Sequence, residues 1–153
     1  MKYERAILIA FLGNYIINNI VSAVVALFGF AASGNTTMQY ASYIILASVF
    51  AAGFAWWYFK GAKPTLMDGA LFGVVAFVVA IVTALVSGIT GVIAQSGSLA
   101  QLSTVLPNFV PFILNWTTLA ILGYWVVPAV LVAMFLANKT MHSPMASVPK
   151  PMI

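Results

Sequence analysis

The sequence predicts an all-α polytopic membrane protein, an antiparallel bundle of four transmembrane helices. Three observations carry that expectation. Only 5% of the residues are charged and 63% are hydrophobic, whereas a soluble domain carries about 25% charged residues. Four apolar stretches, near 5–32, 38–59, 66–94 and 109–137, are each long enough to cross a bilayer, for which about 20 residues suffice. Lastly, a four-span path puts every base of the chain on one side: Lys2, Arg5, Lys60, Lys63, Lys139 and Lys150. The loops on the other side, 33–39 and 95–111, hold no charge. Positive residues stay on the cytoplasmic side, so both termini are expected to be cytoplasmic.

The first stretch follows Lys2, Glu4 and Arg5, with Glu4 expected to pair with Arg5 at the interface. Its apolar run exceeds the roughly 7–15 residues of a signal-peptide core, and no clean A-x-A site follows, so it is read as a retained helix. It contains "GNYIINNI" (13–20), with Asn14, Asn18 and Asn19 beside Tyr15. Asn14, Asn18 and Ser22 recur at i, i+4 and i+8, one face of a regular helix, close to the bilayer midplane. Hydrocarbon offers an amide no hydrogen bond, so this face is expected to turn toward the bundle interior, another subunit or water.

The polar turn "SGNTTMQ" (33–39) leads to the second stretch. Tyr40 and Tyr43 mark one interface and Trp56, Trp57 and Tyr58 the other, with Ser48 in the middle. "KGAKPT" (60–65) then introduces the third stretch. Asp68 opens it, as a helix N-terminal cap or an interfacial ion pair with Lys60 or Lys63; a carboxylate suits the positive end of the helix dipole, and Thr65 is a competing cap. Small residues recur along this stretch at Gly69, Gly73, Ala76, Ala80, Ala84, Ser87, Gly88 and Gly91. Such a stripe lets backbones approach closely in lipid, within the bundle or as an oligomer seam. Thr83 lies mid-span.

The segment 95–111 is mildly polar, with a short interfacial helix expected over 97–106. The fourth stretch begins among Phe109, Phe112 and Trp116. It carries Tyr124 and Trp125 near its centre, three residues ahead of Pro128, and a lesser small-residue set of Ala129, Ala133 and Ala137. Trp125 fits no interfacial belt. Pro128 frees a carbonyl one turn earlier, near Tyr124, which could accept from an asparagine. A central polar layer of Asn14, Asn18, Asn19, Ser48, Thr83 and Tyr124 is therefore expected, as interhelical glue or as the lining of a small site. Residues 1–137 form the membrane domain. The proline-rich remainder, 138–153, is expected to be a flexible cytoplasmic tail.

Several chemistries are disfavoured by the residue census. There is no cysteine, so no disulfide or thiolate metal site. The single histidine, His142, stands in the tail without acidic neighbours, a poor metal ligand. Haem ligation and nucleophilic triads lack a histidine within the spans, and no phosphate-binding glycine loop is present. Six dispersed bases make no nucleic-acid patch. No cofactor and no enzymatic activity are expected. The expected role is an assembly or accessory subunit acting through helix packing, with the lipid bilayer and either a homo-oligomer or a larger membrane complex as partners. The alternative is an oligomeric transporter or channel component for a small neutral solute.

Overall fold

The computed structural model describes residues 3–27, 36–96, 107, 111 and 115–141. The first span is helix α1 (Tyr3–Ile16), a π-helical turn (Ile17–Val21) and helix α2 (Ser22–Leu27). Helices α3 (Thr36–Phe59), α4 (Leu66–Ser96) and α5 (Trp116–Met141) follow. Four apolar segments, Tyr3–Leu27, Thr37–Phe59, Leu66–Gly91 and Thr118–Lys139, are long and apolar enough to cross a membrane. The described residues contain no strand. The protein is thus a four-helix bundle of the multi-pass membrane type.

The element ends differ from the sequence expectation where the chain is most polar. Helix α5 continues through Asn138, Lys139 and Thr140 to Met141, four residues into the expected tail. An exposed helix end can carry these polar residues without burying a backbone group. The expected helix over 97–106 and the tail from 142 onward lie outside the described residues.

The start of α1, the turn between α3 and α4, and the end of α5 share one end of the bundle. Arg5 donates to the carbonyl of Trp57 at 3.2 Å, and Gly69 lies against Ala133. This is called the basic end below. The turn there is made by Gly61, whose φ of 80° is open to glycine and strained for other residues, and by Ala62, whose N–H reaches the carbonyl of Phe59 at 2.9 Å. Helix α4 lies against α5 and α1, and α3 packs on α5 and α1. The first span and α5 therefore face each other across the bundle and meet at its centre.

Toward the basic end the core is dense. Ala6, Ile9, Ala10, Ala51, Ala55, Phe72, Ala76, Ala129 and Ala133 are all buried. Small residues bring the helices close, and a chain of rings fills the space left between them. Tyr58 stacks on Phe72 with centroids 4.6 Å apart, Phe59 meets Phe72 edge-on at 5.8 Å, and Phe72 meets Trp125 edge-on at 6.4 Å. Such pairs contribute about 0.5–1.5 kcal/mol each beyond their buried area. Toward the other end the described core thins to Ile17, Val21 and Val25 from the first span, with Ala47 and Ala80 near the middle.

Candidate functional site

The two halves join at one buried amide. Asn14 is 2% exposed, and Trp125 is fully buried. The Trp125 indole N–H donates to Asn14 Oδ1 at 3.0 Å, and Asn14 Nδ2 donates to the carbonyl of Ala76 on α4 at 3.3 Å. One side chain thus ties the first span, α4 and α5 together. Gly13 makes this possible: a Cβ there would come within 2.7 Å of the indole Cη2 and 3.1 Å of the Phe54 ring. The glycine admits the edge of the indole, and the next residue accepts its proton. No buried side-chain nitrogen or oxygen among the described residues lacks a partner, as buried polar groups require.

Trp125, Gly13 and the Ala76 carbonyl were not part of the expected polar layer. The available signal was a tryptophan at mid-span, whose indole N–H must find an acceptor when buried. The carbonyl that Pro128 frees near Tyr124 was one possible acceptor for an asparagine; the Asn14 amide donates to α4. Tyr124 is itself buried, edge-on to Tyr43 with centroids 6.5 Å apart.

Of that layer, Asn14, Asn18, Asn19 and Thr83 line one groove between the first span and α4, Asn18 and Tyr124 line a hollow beside α3, and Ser48 lines neither. Ser48 donates to the carbonyl of Ile44 at 2.8 Å. Thr83 donates to those of Val79 at 2.7 Å and Ala80 at 2.9 Å. Both hydroxyls thus bond within their own helices, the local competition open to any helical Ser or Thr. Asn18 and Asn19 are exposed, where the sequence placed them with Asn14. A π-helical turn runs over Ile17–Val21, and beyond Asn14 the buried face of the span passes through Ile17, Val21 and Val25, so Asn18, Asn19 and Ser22 fall outside it. Asn19 Nδ2 donates to the carbonyl of Tyr15 at 2.7 Å, bonding the backbone at this irregular turn. Asn18 Oδ1 accepts from the Tyr43 hydroxyl at 3.0 Å, which joins the first span to α3.

The small-residue stripe of α4 divides in two. A Cβ on Gly69 would meet the Ala129 carbonyl and Ala133 Cβ at 2.9 Å, and one on Gly73 would meet Val126 Cα at 2.6 Å. Gly69, Gly73, Ala76 and Ala80 are buried, so this part is a contact inside the bundle. Beyond it Ala84 is exposed and Gly88 and Gly91 are half-buried. A Cβ on Gly91 would meet nothing within 4 Å among the described residues.

Asp68 and Thr65 cap α4 together. The Asp68 carboxylate accepts from the Thr65 N–H at 2.9 Å and from its hydroxyl at 2.7 Å, while the Asp68 N–H reaches Thr65 Oγ1 at 3.2 Å. This is a reciprocal capping box. Asp68 is therefore a cap, and Thr65 is its partner rather than its competitor. Nearby, Arg5 lies over the Tyr58 ring at 5.9 Å.

Two hollows open beside the central node. One, of about 370 Å³, lies among the first span, α3 and α5, with Asn18, Ser22, Gln39, Tyr40, Tyr43 and Tyr124 as its polar lining. The other, of about 650 Å³, is a groove between the first span and α4, edged by Phe11, Tyr15, Asn19, Val82, Thr83 and Ser87. Among the described residues, no group of three His, Asp or Glu side chains could hold a metal ion. No protein-family model, curated protein or solved structure matches this chain.

Proposed function

We propose that this chain is a non-enzymatic assembly or accessory subunit, which joins a larger membrane complex or a second copy of itself through helix packing. The supporting observation is the exposure of Asn18 and Asn19 midway along a membrane span, with Asn19 beside the groove between that span and α4. Amides at that depth find no partner in hydrocarbon and mark contact with protein or water. A neighbouring helix laid in the groove supplies hydrogen bonds and covers the exposed Val78, Val82 and Val86. The cationic residues at the basic end support a reading in which both termini are cytoplasmic. The bases are too dispersed for nucleic acid, so the partners are lipid and membrane protein.

The test is purification of the full chain in a mild detergent, followed by mass spectrometry of co-purifying chains and a measurement of particle mass. A stable complex is expected, and Val82→Trp, which fills the groove, is expected to release a folded monomer. Monomers from the unaltered chain would overturn the proposal.

A second reading, an oligomeric transporter or channel component for a small neutral solute, draws on the hollow that reaches Asn18 and Tyr124. Solute flux in liposomes that is lost in Asn18→Leu at unchanged thermal stability would favour it over assembly.

A further inference from the structure

The hollow among the first span, α3 and α5 has the construction of a ligand site, independently of any partner in the outer groove. It runs from Gln39 and Tyr40, near the start of α3, down to Tyr124, which adjoins the buried Trp125. Its volume of about 370 Å³ lies in the range of small-molecule sites, about 300–1,000 Å³. It is also far larger than the roughly 30 Å³ share of one water. The body of its lining is apolar, from Val25, Ala26, Ile44, Ala120 and Ile121.

The polar atoms define what fits. No charged side chain lines the hollow, so an ion entering it would shed its hydration without a counter-charge. The Tyr43 hydroxyl uses Asn18 Oδ1 as its acceptor, which leaves the Asn18 NH₂ group as the free edge of that amide among the described residues. The Gln39 amide and the Ser22 and Tyr40 hydroxyls add further donors. Tyr124 lines the hollow but is only 4% exposed, held edge-on to Tyr43, whereas the half-buried Tyr43 offers a ring against which a flat molecule can lie. The apolar body of the lining favours a molecule that dissolves in lipid.

We propose that this hollow binds a neutral, lipid-soluble molecule with a flat carbonyl-bearing ring, of the isoprenoid quinone class. The ring lies against Tyr43, and its carbonyl oxygens accept from Asn18 and Gln39. The apolar tail leaves toward lipid.

The test uses the full chain in lipid nanodiscs, titrated with a 2,3-dimethoxy-5-methyl-1,4-benzoquinone bearing one isoprene unit, with tryptophan fluorescence as the readout. Saturable quenching is expected. Ala120→Phe, which fills the hollow, is expected to weaken binding at least tenfold. Val127→Phe, on an exposed face of the same helix, is expected to leave it unchanged. Should Ala120→Phe fail to fold, Gln39→Leu provides the comparison, with an expected weakening of at least threefold. Quenching that rises linearly with quinone and is the same in all variants is partition into lipid and overturns the site. Equal affinity for a benzoate of the same ring size overturns the neutral-ligand assignment.

Discussion

The two halves of the bundle solve the same packing problem differently. At the basic end, glycine and alanine bring α4 and α5 into backbone contact, and the Tyr58–Phe72–Trp125 rings fill the remaining space. At the other end, bulkier Ile17, Val21 and Val25 are buried from one helix, and two hollows open on either side of it. Helices in lipid gain little hydrophobic free energy by associating, so close packing and hydrogen bonds must hold them. The contrast teaches that, among the described residues, close packing is concentrated between the Asn14 node and the basic end.

Removing Trp125 should break this arrangement most severely. Trp125→Ala deletes the largest fully buried side chain and the donor to Asn14. A loss of about 3–5 kcal/mol is expected, measured by reversible denaturation in mixed micelles. A smaller but sharper contrast comes from two glycines. Gly73→Ala would drive a methyl group into the Val126 backbone, at a cost of about 1–3 kcal/mol. Gly123→Ala meets nothing within 4 Å among the described residues and should not destabilise the bundle, with a gain of up to about 1 kcal/mol from helix propensity. If both alanines prove neutral, the close approach of α4 and α5 is not what holds the basic end. Thr65→Ala removes half of the α4 capping box and should cost about 1 kcal/mol, seen as faster amide exchange in the first turn of α4. A smaller loss than at the cap is expected in the open half. Tyr43→Phe removes the bond to Asn18 and should cost about 0.6 kcal/mol, while leaving the Asn14 node intact.

The sequence made the spans legible because span length and apolar composition are strong, one-dimensional signals. Asn14 was legible as an inward-facing amide for the same reason: a lone amide in hydrocarbon has few alternatives. Its partners were not. Nothing in the spacing of 111 residues between Asn14 and Trp125 indicates their contact, although a mid-span tryptophan does signal a need for an acceptor. The exposure of Asn18 and Asn19 reflects a buried face that passes through Ile17, Val21 and Val25, which the spacing of polar residues alone does not locate. Ser48 and Thr83 looked like cross-helix partners by depth, but a carbonyl within their own helix is always nearer. The stripe from Gly69 to Gly91 read as one feature because spacing carries no information on where the neighbouring helix diverges.

The central claim is that the Asn14 amide and the Trp125 indole act as a coupled pair holding the first span to α5. A double-mutant cycle of Asn14→Leu and Trp125→Phe, read by equilibrium unfolding of the full chain, tests it most directly. The structure predicts a coupling of about 0.6–2 kcal/mol, with either single change costing nearly as much as both together. Strictly additive losses would contradict it.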